Sequence, residues 1–139
     1  MAMGTASPPL VTILYAEDDE DIRSIVEITL QNFSDFRLII CNGGGEAIKM
    51  ADKSSPDMVL LDVMMPDVDG ITVLKALKQR EDFQNVPIVL MTAKVQKHEI
   101  EQFKALGAID VIVKPFDPIT LADQLTAIWN QYHTGHHPG

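Results

Sequence analysis

Five short apolar runs without regular polar alternation constrain this fold more than any other feature of the chain. They span residues 11–16, 36–41, 58–61, 87–91 and 109–113, and are rich in Val, Ile and Leu. A strand with one wet face alternates apolar and polar residues. A strand covered on both faces reads as a continuous apolar run. Segments of helical period separate the runs. Ile22, Ile25, Val26, Thr29, Leu30 and Phe33 form one stripe, and Leu121, Leu125, Ile128, Trp129 and Tyr132 form another. A shorter helix starts in "GGGEAIKMA", and Gly70 leads into one carrying Ile71, Leu74 and Leu77. Residues 97–106 offer only Ile100, Phe103 and Leu106 as large anchors. That helix is expected to be the least firmly held and the easiest to move.

Five alternations of strand and helix predict an α/β domain: a doubly wound (βα)5 fold with right-handed crossovers. A flavodoxin-like five-stranded parallel sheet of order 2-1-3-4-5 suits the 139 residues. Residues 1–9 are small, Pro-containing and aperiodic, and read as a flexible leader. The domain is expected over 10–132 and a flexible tail over 133–139. The tail's His133, His136 and His137 read as part of that tail rather than as a metal site. No apolar run approaches the roughly 20 residues of a membrane helix, and residues 1–9 lack the basic flank and long apolar stretch of a signal peptide. Cys41 is alone, so no internal disulfide forms, which is compatible with a reducing cytoplasm. The net charge of −9 argues against nonspecific nucleic-acid binding.

Ligands of such sheets bind at the carboxyl ends of the strands. Glu17, Asp18 and Asp19 follow the first run, and Asp62 follows the third. Thr92 ends the fourth, within "LMTAK", and Lys114 ends the fifth, within "VIVKPF". Each alone has an ordinary explanation: a helix cap for the aspartates and the threonine, a surface ammonium for the lysine. Together they converge on one edge. Clustered carboxylates call for a cation, and Mg2+ takes oxygen ligands while keeping positions for water and phosphate. Asp62 is then placed to attack phosphorus, with Thr92 and Lys114 meeting phosphoryl oxygens. Asp19 reads as a cap of the first helix or as a solvated acid.

The chain resembles the response-regulator receiver domains of two-component signalling, chemotaxis regulators among them. The resemblance rests on "EDDEDIR", "LLDVMMPDVDG", "MTA" and "KPF" in that order, with "GGGEAI" at the second helix. The intervals are 44 residues from Asp18 to Asp62, 30 more to Thr92 and 22 more to Lys114. It implies that Asp62 is the phosphoacceptor and that Thr92 and Lys114 contact the phosphoryl group. It also implies that Asp18 ligates Mg2+ directly, Glu17 through water, and Met64 through its main-chain carbonyl. The family's spacing to Arg23 selects Asp18 over Asp19, and the Lys114–Pro115 bond is expected to be cis. The implied role is a phosphorylation switch, not an enzyme in its own right. A histidine kinase or histidine phosphotransfer protein is its donor. Output partners read the face of helix 4, strand 5 and helix 5, where a homodimer is also compatible. Met64 and Lys94 flank the path of a hydrolysing water, and an apolar Met64 predicts slow self-dephosphorylation. Val111 stands where many members carry Tyr or Phe, so the switch is expected to run without that aromatic rotamer.

Three rivals fare worse. An aspartate-nucleophile phosphatase wants a second acid two residues after the nucleophile, where this chain has Met64. A flavodoxin-type carrier wants a hydroxyl- and glycine-rich phosphate loop where three acids stand. A phosphorylation-independent, receiver-like binding module would have shed the acceptor, the acids or the lysine, and all are present.

Overall fold

The computed structural model describes residues 8–93 and 96–135. Its elements alternate as β1 (Thr12–Ala16), α1 (Glu20–Phe33), β2 (Arg37–Cys41), α2 (Gly44–Lys53), β3 (Met58–Asp62), α3 (Gly70–Lys78), β4 (Ile88–Thr92), α4 (Lys97–Ala105), β5 (Asp110–Val113) and α5 (Leu121–Gly135). All strand pairs are parallel, in the order β2-β1-β3-β4-β5. This is the doubly wound (βα)5 architecture expected from the sequence.

The unbroken apolar runs have a simple cause. Successive strand residues point to opposite faces, and both faces are covered. Ile13, Tyr15, Met58, Leu60, Val89 and Met91 join Val26, Leu30, Leu125 and Trp129 in the core under α1 and α5. Leu14, Ala16, Val59, Leu61, Ile88 and Leu90 join Ala47, Ala51, Val73, Leu74 and Leu77 in the core under α2 and α3. Every residue of β3 and of β4 is buried.

The helices are not held equally. α4 has no buried residue; Phe103 is only half-buried against the second core. Full burial of one Leu-sized side chain contributes about 1.5–3 kcal/mol, so α4 has the weakest hold on the sheet, as its sparse anchors suggest. It starts with a capping box, in which Gln96 N–H donates to Glu99 Oε1 at 3.0 Å.

Several details refine the sequence reading. Asp62 is the last residue of β3 rather than the first beyond it, because pairing continues: Asp62 registers with Met91, and Val63 N–H donates to Met91 O at 2.9 Å. Thr92 ends β4 as expected, whereas Lys114 follows β5, which ends at Val113, rather than ending it. A single 3₁₀ turn at Glu81–Phe83, unmarked by any periodicity, buries Phe83. α5 runs to Gly135, so His133 belongs to this helix rather than to a tail starting there, and its ring packs edge-on against Trp129, with centroids 4.1 Å apart. His136 and His137 lie outside the described residues. So does most of the expected leader, but Pro8 is described and its carbonyl accepts from Trp129 Nε1 at 2.7 Å.

Tyr15 is fully buried, and its hydroxyl has no hydrogen-bond partner among the described residues. A buried, unsatisfied hydroxyl costs about 1–3 kcal/mol. Tyr15→Phe is therefore expected to stabilise the fold by about 1 kcal/mol, measured by urea denaturation. A loss of stability would show that the hydroxyl is satisfied in solution.

Candidate functional site

The carboxyl edge of the sheet gathers the polar residues that the apolar strands cannot accommodate. Glu17 follows β1 and is 1% exposed; Asp62 ends β3 and is 3% exposed. Asp18 beside them is open to solvent. One carboxylate oxygen from each of Glu17, Asp18 and Asp62 lies within 4.8 Å of the others. Lys114, immediately after β5, reaches both buried acids. Its Nζ is 2.8 Å from Asp62 Oδ1 and 2.9 Å from Glu17 Oε1. The Lys114–Pro115 peptide is cis.

The three adjacent acids at β1 sort by backbone geometry. Asp19 caps α1, its Oδ1 accepting from Asp21 N at 2.9 Å and Ile22 N at 3.1 Å. Its carboxylate is thereby committed to the helix start. Arg23 turns back one helical turn to hold the main chain, its Nη1 donating to Glu17 O at 2.9 Å and to Asp18 O at 3.4 Å. Of the three, Glu17 and Asp18 are the ones whose carboxylate oxygens group with Asp62, while Asp19 borders the cavity with its carboxylate turned to the helix start.

A cavity of about 270 Å³ is lined by Glu17, Asp18, Asp19, Ile22, Asp62, Met64, Ala93 and Lys114. Of the expected residues, Thr92 is the one outside this lining: it is buried at the end of β4, and Ala93 borders the cavity instead. Met64 is 74% exposed on the rim. Lys94 lies outside the described residues. An apolar groove of about 320 Å³, lined by Ile22, Ile25, Ala93, Lys114, Pro115, Phe116 and Pro118, adjoins the acidic cavity and shares three of its residues.

The loop from β3 to α3 uses its remaining acids structurally. Asp69 caps α3, accepting from Thr72 N at 2.8 Å. Asp67 reaches across to α2 and accepts from Gly44 N at 3.2 Å and Gly45 N at 3.0 Å. These bonds hold its carboxyl below the ordinary aspartate pKa. Gly70 is required by close approach, since a Cβ there would collide with Asp62 O. Sequence reading missed the role of Asp67. A signal existed: three glycines start α2 with no side chain of its own to cap it, so the cap must come from elsewhere.

Electrostatics follow from burial. Desolvation pushes the Glu17 carboxyl up to about 7; the Lys114 hydrogen bond opposes this, and the Asp62 charge adds to it. At Lys114 burial works to lower the pKa, but the hydrogen bonds to Asp62 and Glu17 outweigh it and raise it. A carboxyl whose pKa is higher folded than unfolded stabilises the fold most when protonated. Its contribution falls as pH rises from about 4.5 through about 7. Lys114 stays charged throughout that window. In the presence of a chelator, wild type is therefore expected to lose stability relative to Glu17→Gln between pH 5 and about 8, as read from paired denaturation curves. Parallel pH profiles would overturn the assignment.

All-oxygen donors at this spacing fit a hard divalent cation such as Mg2+. Comparisons with known proteins identify the family. The response regulator receiver domain family matches residues 13–126. The chain is 36% identical over 116 residues to the alkaline phosphatase synthesis transcriptional regulatory protein PhoP of Bacillus subtilis, covering 84% of this chain and 47% of that protein. It is 30% identical over 125 residues to the response regulator SaeR of Staphylococcus aureus, covering 90% of this chain and 53% of SaeR. The chain thus spans about half the length of these curated relatives. Among solved structures it is similar to the chemotaxis response regulator CheY4 of Vibrio cholerae, with a TM-score of 0.80 and 30% identity over 86% of this chain and 99% of that one. Among the described residues no helix is long and apolar enough to cross a membrane. Fold, acidic edge and sequence match together place the chain in the response-regulator receiver domain family.

Proposed function

We propose that this chain is a Mg2+-dependent phosphorylation switch whose acceptor is Asp62. The observation that carries this reading is the Lys114 ammonium 2.8 Å from Asp62 Oδ1, with the Glu17 and Asp18 carboxylates grouped around it. Glu17, Asp18, Asp62 and the main-chain carbonyl of Met64 would hold the ion. When bound, the ion would neutralise charge on the phosphoryl oxygens.

The donor is a phosphohistidine of a histidine kinase or a phosphotransfer protein. An oxygen of Asp62 forms the new bond to phosphorus while the donor's phosphorus–nitrogen bond breaks. The departing imidazole nitrogen keeps the electron pair and takes a proton from solvent. Lys114 follows the negative charge from the carboxylate onto the phosphoryl oxygens, and Thr92 moves toward one of them. The apolar groove beside the pocket offers a protein donor a dry ledge next to the reacting oxygen.

Phosphorylation adds about −1.5 to −2 of charge, and the response falls on the element with least to lose. α4 buries no side chain, so its displacement costs little core. Output partners read the face of α4, β5 and α5. Val111, half-buried against the second core, carries no ring to swing, so the signal passes without an aromatic rotamer there. The shifted state is selected from a pre-existing minority.

Incubation with acetyl phosphate and Mg2+ is expected to add one alkali-labile phosphoryl group by intact mass, absent without Mg2+ and absent in Asp62→Asn. A wild type that binds Mg2+ but takes up no phosphoryl group from acetyl phosphate or a phosphohistidine donor would favour a binding module. Exposed Met64 cannot orient a hydrolysing water by hydrogen bonding. Met64→Asn is expected to shorten the phosphoryl half-life several-fold; an unchanged or longer half-life would remove Met64 from that role.

A further inference from the structure

We infer that Asp67 is a positioning residue for the metal site: it latches the β3–α3 loop onto α2 and so holds the Met64 carbonyl in place. The inference rests on the reading of that carbonyl as a Mg2+ ligand.

The Met64 side chain is 74% exposed and gives its own main chain no anchor. Its carbonyl is positioned by what is fixed on either side. Upstream, Val63 is held twice, its N–H donating to Met91 O and its carbonyl accepting from Gly70 N, both at 2.9 Å. Downstream, Met65 is buried in the second core. Asp67 then ties the loop to a different element, accepting the first two N–H groups of α2. The glycines of "GGG" are shaped to this contact. A Cβ at Gly43 would come within 2.9 Å of both Asp67 carboxylate oxygens. One at Gly44 would collide with Val68 O. The glycine run and Asp67 are thus two halves of one joint, 22 and 23 residues apart in sequence. α2 supplies no side-chain cap at Gly43, so the carboxylate also satisfies N–H groups left without helical partners. Groups that orient metal ligands from behind typically change affinity by roughly 10–100-fold.

The test is Mg2+ titration of the whole chain by calorimetry at one pH and ionic strength. Asp67→Ala is expected to weaken Mg2+ binding about tenfold, the lower end of that range. Asp67→Asn removes the charge but keeps one acceptor oxygen, and is expected to recover most of the affinity. Ala51→Gly, which loosens α2 away from the joint, controls for stability and is expected to bind Mg2+ as wild type does. Three results would overturn the latch: Asp67→Ala binding like wild type, Asp67→Asn as weak as Asp67→Ala, or Ala51→Gly weakened equally at matched stability. The second would mark a field effect of the lost charge. A wild type with no Mg2+ binding would instead overturn the metal reading itself.

Discussion

The Lys114 ammonium is the contact on which the functional edge depends. Glu17 and Asp62 are almost wholly removed from water, and burying an unpaired carboxylate costs several kcal/mol. Lys114 meets both, at 2.9 and 2.8 Å. It does so from the far side of the sheet, because β4 lies between β5 and β3, and β1 lies beyond β3. At about 4.8 Å per neighbouring pair, β5 and β3 lie about 9.6 Å apart, so the long lysine stem and the acids' own side chains share the span. One cation therefore connects the ends of three strands. It does not fully compensate Glu17: burial still outweighs the ammonium there and pushes the carboxyl pKa up to about 7.

Around that contact the protein separates rigid parts from movable ones. The loop carrying Met64 is tied at Val63, Met65, Asp67, Asp69 and Gly70, through strand pairing, core packing and the starts of two helices. α1 buries Val26 and Leu30, α5 buries several large side chains, and the Pro8 carbonyl is pinned to Trp129 on α5. α2 is joined further to the turn that follows α3 by an Arg80–Asp52 ion pair at the surface. On the other side of the site, α4 follows the end of β4 with no buried residue of its own. A charge added at Asp62 would thus meet stiff support on the β1–β3 side and soft support at α4. This asymmetry is written in burial, not in the chemistry of the site residues.

Much of the site was legible because strand ends are legible. An apolar run that stops at Asp62, Thr92 or Lys114 marks where the chain leaves the core, and parallel order places all such exits on one edge. The cap role of Asp19 and the weak hold on α4 could be read the same way, from residues adjacent in sequence. What escaped were contacts between distant segments. Nothing local tells that Asp67 serves α2 while Asp69, two residues later, serves α3. Nothing local tells that the Tyr15 hydroxyl has no partner among the described residues, that Phe83 is carried into the core by a 3₁₀ turn, or that Ala93 rather than Thr92 borders the cavity.

By itself, then, the sequence determined the alternation of elements, the two-sided burial of the sheet and the edge on which the acids, hydroxyl and lysine collect. Those follow from hydrophobic period and connection order, which are properties of neighbouring residues. Only the tertiary structure decided that Asp67 serves α2, how far Lys114 reaches, and what fixes the loop behind Met64. A carboxylate takes the hydrogen-bond donors that folding brings to it, and here those donors come from strands and helices far away along the chain.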